Sequence, residues 1–169
     1  MALFGEDRDA SFIRSVNREF IGNVVTQQCI YYKYKIGETK TNIYGEATEG
    51  RYFQEPIIFN CLINRNPQEN IYADIGVNFS RKLDFNLLKD DLVDASLVPE
   101  VGDVIMYHEG YYEIVNTVSN QLFAGKNPDY PNSINPLNPG LEKFGYDLSV
   151  ICNTVYINSD KLNILKSRL

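Results

Sequence analysis

The chain has a single histidine, His108, followed directly by Glu109 and five residues before Glu113. A carboxylate beside an imidazole orients the ring and stabilises its protonated form, so this grouping is the first place to look for acid–base chemistry. Its setting argues otherwise. His108-Glu109-Gly110 lies between two apolar-rich runs, as the tip of a β-hairpin does, and exposed polar residues are the norm at such tips. Asp90, Asp91 and Asp94 supply oxygen ligands for a hard cation, but their spacing is not that of a calcium loop and suits a solvated acidic turn. Cys29, Cys61 and Cys152 are odd in number, far apart and without a Cys-x-x-Cys pair. They read as reduced, buried thiols, and with one histidine a zinc site has too few ligands. No serine stands in a Gly-x-Ser-x-Gly elbow, and no glycine-rich loop has a phosphate-cradling pattern. The expectation is a protein that is not an enzyme, with no catalytic or metal-binding residues and no cofactor.

The elements that would carry these residues are legible from periodicity. Phe12, Ile13, Val16, Phe20, Val24 and Val25 recur at helical spacing, which predicts a helix over about residues 9–26, with Asp7 or Asp9 capping its start. Such a helix packs on its own domain or on a neighbouring subunit. The period then changes to two. Ile30, Tyr32, Tyr34 and Ile36 alternate with Tyr31, Lys33 and Lys35, as in a half-buried strand. Ile57, Phe59, Cys61 and Ile63 repeat the pattern, and a third run spans residues 77–87. Leu87, Leu88 and Leu92 suggest a short helical turn. The hairpin follows Pro99 and Gly102-Asp103, where Gly102-Asp103 reads as a turn signal before it reads as a working carboxylate. Its short loop ends in Gly110, expected at positive φ. A last strand covers residues 146–157.

Two stretches resist assignment to regular structure. Residues 37–51 are polar with three glycines, and residues 124–145 are crowded with Pro and Asn. The fold class expected is mainly β: a small β-barrel or sandwich of about five to seven strands, with one N-terminal α-helix and long loops. The aromatic content of 12% fits strands, whose pleated surface suits large flat side chains. Residues 1–159 are expected to form one β-rich domain, and residues 160–169 a C-terminal tail or arm.

Charge narrows the partners. The formal net charge is −6, with 16 Lys plus Arg, and Arg81-Lys82 is the densest basic pair. Gripping phosphates along a duplex needs a basic patch, so tight nucleic-acid binding is not expected. The N-terminus lacks the basic and apolar regions of a signal peptide, and no window reaches the ~20 apolar residues of a membrane span. A cytoplasmic product without membrane partners is expected.

Read as a whole, the chain resembles the neck, or head-completion, proteins of T-even-like contractile-tailed bacteriophages. Three ordered blocks carry the resemblance. The first is a helix followed by Cys29-Ile30-Tyr31-Tyr32-Lys33-Tyr34 and then Asn42-Ile43-Tyr44-Gly45-Glu46-Ala47; the family has a helix, a Cys-Tyr-Tyr strand and a Phe-Gly-Glu segment. The second is Val98-Pro99-Glu100-Val101-Gly102-Asp103-Val104-Ile105-Met106-Tyr107 leading to Tyr112-Glu113-Ile114; the family has Pro-x-x-Gly-Asp-x-Ile-Tyr leading to Phe-Glu-Ile. The third is the Pro/Asn-rich segment around Asn127-Pro128-Asp129-Tyr130. The likeness spans about residues 10–157, and the chain lacks the longer C-terminal region of some members.

The resemblance implies a structural virion protein, a ring subunit at the head–tail junction that closes the DNA-filled head and offers the tail its docking face. It implies a ring of six or twelve copies, six favoured, with a portal-side adaptor on one side and a tail terminator or tail tube protein on the other. Contact with packaged DNA would be passive, and the protein would reside in the virion neck after assembly in the host cytoplasm. The alternatives are another barrel-type tail component, such as a tail terminator or sheath-joining protein, and a small hydrolase or unrelated monomeric binding domain. For the ring, the residues expected at a subunit or partner interface are Tyr52, Phe53, Leu162, Ile164, Leu165 and Leu169. The tail residues are included because they have no evident home in the monomer. Glu38, Glu46 and Glu49 are expected to face the channel, where an acidic wall lets DNA slide.

Overall fold

The computed structural model describes residues 7–35, 37, 39, 51–67, 69–73, 76–119, 148–159, 162 and 164. Helix α1, Asp7–Glu19, runs directly into a π-helical turn, Phe20–Val25. The Thr26 N–H donates to the Ile21 carbonyl at 3.0 Å, and Thr26 itself turns left-handed at φ 50°, which ends the helix. Eight strands follow among the described residues: β1 (Gln28–Tyr32), β2 (Ile57–Arg65), β3 (Glu69–Ala73), β4 (Gly76–Ser80), β5 (Lys82–Leu88), β6 (Val104–Tyr107), β7 (Gly110–Val118) and β8 (Ser149–Ile157). A short helix, α2 (Lys89–Asp94), separates β5 from β6.

Six strands close into an antiparallel barrel in the order β1-β2-β5-β8-β7-β6, with β6 pairing back to β1; β3 and β4 form a separate hairpin. The mainly β expectation therefore holds, as a barrel. The run expected over residues 77–87 is two strands in two different sheets, divided at Arg81.

The barrel interior is set by strict alternation. Cys29 and Tyr31 from β1, Phe59 and Cys61 from β2, and Phe85 and Leu87 from β5 all point inward; Ile105, Ile114 and Cys152 join the same cluster. Leu92 of α2 and Leu97 after it belong to the same cluster, so α2 caps the end of the barrel where β5 finishes. Thr154, also fully buried, donates its hydroxyl to the Leu83 carbonyl across the β5–β8 pair at 2.8 Å, which satisfies the one polar side chain β8 places inside.

Strand β1 departs from the expected alternation. Tyr31, assigned to the polar face, is completely buried, while Tyr32 on the opposite face is also buried. Both faces are covered because a second apolar cluster forms outside the barrel: Tyr32, Val104, Tyr111 and Leu162, with Ile30, Phe53, Met106, Ile157 and Ile164 against them. Residues 51–54 supply part of that cover. Their backbone adds alongside the chain after β1, with Lys35 N–H donating to Tyr52 O at 2.9 Å and Gln54 N–H to Lys33 O at 2.8 Å. A strand buried on both faces shows no amphipathic alternation to read.

The β6–β7 hairpin stands where the sequence places it, but its turn differs in kind. The loop is the two residues His108 and Glu109, with φ of 45° and 63°; Tyr107 and Gly110 pair as the closing residues. Two successive left-handed residues make a type I′ turn, which matches strand twist and normally uses Asn-Gly. Gly110 is needed for space instead: a Cβ there would meet the Tyr112 ring at 3.1 Å. Replacing Glu109 by glycine relieves a left-handed non-glycine residue without touching the core. The E109G variant should gain about 0.5–1 kcal/mol, read as a rise in thermal midpoint.

The three cysteines are buried and free. The Cys29 thiol is pushed up by its hydrogen bond with Cys61 and then by burial; burial raises Cys152 to about 12. Burial, followed by the bond to Asp103, raises the Tyr31 phenol. All three groups hold their protons more tightly folded than unfolded. Their contribution is intact below the unfolded pKa values, near 9 for the thiols and 10 for the phenol, and is lost as pH rises beyond them. Stability should fall progressively above about pH 9, each group removing up to about 1.4 kcal/mol per pH unit. Denaturant midpoints at pH 7–11 would check this; C152A should flatten the alkaline slope.

Candidate functional site

Asp103 is the only buried carboxylate among the described residues, at 1% exposure. It directly precedes β6, at the end of the turn Glu100–Asp103. Gly102 adopts φ 95°, and the Asp103 N–H donates to the Glu100 carbonyl at 3.3 Å, the arrangement of a type II turn that asks for glycine at its third position. The turn aims the Asp103 side chain at β1. Its Oδ2 accepts from the Tyr31 hydroxyl at 2.5 Å, the Glu100 N–H at 2.9 Å and Lys33 Nζ at 3.0 Å; its Oδ1 accepts from the Tyr34 N–H at 2.8 Å. Lys33 Nζ is shared with Glu100 Oε2 and the Val98 carbonyl, each at 2.8 Å. The Asp103 backbone continues the ladder to β7: Ile114 N–H donates to Asp103 O at 2.8 Å, and Gly102 N–H to Ile114 O at 2.9 Å. A β-bulge between Ile114 and Asn116 follows immediately.

Such a carboxylate, 1% exposed and held by four donors of its own chain, is not presented to a substrate. Its four donors come from β1, the chain just after it and the turn, and its work is to fix these segments together. Alanine at 103 strands the Tyr31 hydroxyl and two backbone N–H groups and takes from the Lys33 ammonium one of its three acceptors. D103A should cost about 3–5 kcal/mol and D103N clearly less, measured by urea unfolding at neutral pH.

The other chemistry-bearing residues are dispersed. Glu113 lies on the outer face and is engaged by Arg51, while His108 is exposed at the turn with its ring edge-on to Tyr107, centroids 4.3 Å apart. Asp91 and Asp94 both bind Arg18 of α1, at 2.8 and 2.7 Å. The Asp94 hydrogen bond raises the guanidinium pKa further; burial raises Asp91 against the opposing pull of Arg18. Among the described residues, no group of His, Cys, Asp and Glu is arranged to hold a metal ion, and no helix is long and apolar enough to cross a membrane.

The expected interface residues separate into three groups. Tyr52 is on the surface at 38% exposure, whereas Phe53 turns inward, edge-on to Tyr32 and tilted against Tyr34. Leu162 is buried at 6% in the outer cluster, with Ile164 packed beside it. For Leu162 and Ile164 this corrects the expectation that they lack a home in the monomer: they cover the outer faces of β1, β6 and β7. Truncation before residue 160 would strip part of the subunit's own core. Leu165, Leu169, Glu38, Glu46 and Glu49 lie outside the described residues.

A surface that periodicity marked, but without assigning what covers it, is the N-terminal helix. Phe12, Val16, Phe20 and Val24 are exposed at 66%, 45%, 52% and 67%. They recur every fourth residue along about 18 Å of helix, and the π-helical turn, which alters the angular step between residues, carries Val24. What faces the barrel is instead Ile21, the buried residue of that turn, with Gly22 close to Asn60 of β2. Arg18 anchors the helix to α2.

No known protein-family model matches this sequence. A search of curated proteins likewise finds no match.

The exposed stripe is thus the candidate functional surface: four large apolar side chains held on a helix that is tied to the barrel through Ile21 and Arg18. Its position could be found from the sequence by periodicity. Its exposure could not, because periodicity identifies an apolar face without identifying its cover.

Proposed function

We propose that this chain is a ring subunit of a bacteriophage neck, closing the DNA-filled head and presenting a docking face to the tail. The observation that carries the reading is the exposed stripe Phe12, Val16, Phe20 and Val24. Contiguous apolar surface of this kind marks a partner contact. Covering a large apolar side chain contributes about 1.5–3 kcal/mol, so four together can offset much of the cost of association. In a ring, each subunit sets one patch against a different patch of its neighbour, a heterologous contact that closes by rotation. The helix stripe is one such patch, and its occupant is a second copy of this chain.

Two further features support the reading. Two blocks of the resemblance, Cys29–Tyr34 and Val98–Tyr107, meet at Asp103, so the likeness falls on residues that build the framework. The net charge of −6 suits a conduit that does not hold DNA.

Light scattering and negative-stain imaging of the purified protein, with and without DNA-filled heads carrying the portal-side adaptor, test the proposal. Closed rings, or ring-shaped density at the head–tail junction, are expected. The double variant F12S/F20S should keep the wild-type circular dichroism spectrum and thermal midpoint while losing rings, leaving heads that fill but do not retain DNA or join tails. A chain that stays monomeric under both conditions, or a variant that forms rings as the wild type does, overturns the reading.

A further inference from the structure

One mouth of the barrel, opposite the end capped by α2, concentrates positive charge in an acidic protein. β2 ends at Arg65, β5 begins at Lys82 just after Arg81, and the β6–β7 turn brings His108 to the same end. With Tyr107 and Tyr112 they surround an open hollow of about 500 Å³. No carboxylate of a described residue lines it. Asn66, also at the rim, uses its amide on Asp84, and Asn153 holds the other Asp84 oxygen.

The two arginines are held by aromatic rings rather than by acids. The Arg65 guanidinium carbon stands 6.0 Å from the centre of the Tyr107 ring, and its Nη2 donates to the Tyr107 hydroxyl at 3.4 Å. The Arg81 guanidinium carbon stands 5.9 Å from the Tyr156 ring. Tyr156 is edge-on to Tyr112, and Tyr112 to Phe85 of the barrel core, so the aromatic support continues into the interior. No carboxylate of a described residue pairs with either arginine. The Tyr112 phenol, whose pKa burial raises further, adds a neutral donor to the rim. Guanidinium groups fixed on aromatic faces have lost little of their hydrogen-bonding capacity and need little reordering to bind an anion.

We infer that this mouth binds a terminal phosphate, a phosphate monoester carried on an organic body. Several separate donors around one hollow suit a dianion with three free oxygens better than a single carboxylate, which one guanidinium fork can satisfy. A hollow of about 500 Å³ is within the range of small-molecule sites and far exceeds a bare ion. Tyr107 and Tyr112 provide aromatic wall for the attached group. The same chemistry is offered by a free mononucleotide and by the phosphorylated 5′ end of a DNA strand. The inference stands apart from the neck reading, since it concerns the opposite side of the barrel from α2 and is read on the isolated subunit.

Calorimetric titration of the full chain at low salt tests it, using a mononucleotide 5′-monophosphate, a short single strand with a 5′-phosphate, the same strand with a 5′-hydroxyl, and a dicarboxylate of matched charge. Saturable binding of at least one phosphorylated probe is expected, at least tenfold tighter than its dephosphorylated or dicarboxylate counterpart. Stronger binding of the mononucleotide or of the strand identifies the source. R65Q and R81Q should each weaken binding at least tenfold, and R65K should restore charge without restoring the full affinity. Thermal midpoints of the variants, compared with wild type, separate lost binding from lost folding. Absence of saturable binding, equal binding of the hydroxyl strand or the dicarboxylate, or unchanged affinity in folded R65Q/R81Q overturns the assignment.

Discussion

A carboxylate taken out of water must be surrounded by donors or it will not stay charged, and that constraint organises this barrel around Asp103. Tyr31 is drawn to the interior by its hydroxyl as well as by its ring. Lys33 crosses from β1's continuation to the turn before β6, joining a first-strand element to one some seventy residues later in the chain. The turn at Gly102 exists to deliver the side chain, and the backbone of the same residue opens the ladder to β7 beside a bulge. The seam between β1 and β6, where the sheet closes on itself, is thus pinned by an ionic and hydrogen-bonded node as well as by its ladder. Apolar packing alone would favour closure without fixing where the seam falls.

Much of the framework could be read from residue order, and its gaps have physical causes. Helical spacing from Phe12 to Val25 located α1 and its π-helical extension, and period-two runs located β1, β2 and the core of β5. Leu87, Leu88 and Leu92 marked the turn into α2. The buried state of the three cysteines followed from their spacing and number. Tyr31 was assigned to the wrong face because β1 is covered on both sides, and the outer cover comes from residues 51–54 and from Leu162, far away in sequence. Asp103 looked like turn punctuation because Gly-Asp is common in turns. Its four donors become neighbours only when the barrel closes. Leu162 and Ile164 lie past the last period-two run, where spacing offers them no partner, yet they pack on the face that β1, β6 and β7 assemble.

Charge shows the same limit. Along the sequence the basic residues are diluted, and Arg81-Lys82 is the densest pair. The β2–β5 register sets Arg65 opposite Leu83, which carries it to the same rim. At the other end, Asp90, Asp91 and Asp94 on α2 gather acidic charge that Arg18 partly neutralises. A chain with uniform charge statistics thus becomes a barrel with a basic mouth and an acidic cap. Net charge describes solubility and long-range repulsion; the local field at each end depends on topology.

The strand order has a consequence for how the chain is made. β8 lies between β5 and β7 and pairs with both along most of its length, yet among the described strands it leaves the ribosome after all the others. Until residues 149–157 emerge, β5 and β7 present unpaired edges, and β6 can meet β1 without completing a barrel. Lys82 waits for Val155 across most of the intervening chain. Contacts so distant in sequence slow folding and prolong the lifetime of open edges. The nascent protein is therefore most vulnerable to edge-to-edge association until residues 149–157 have emerged, when high local concentrations of sister chains on one message would turn the missing strand into a site for mispairing.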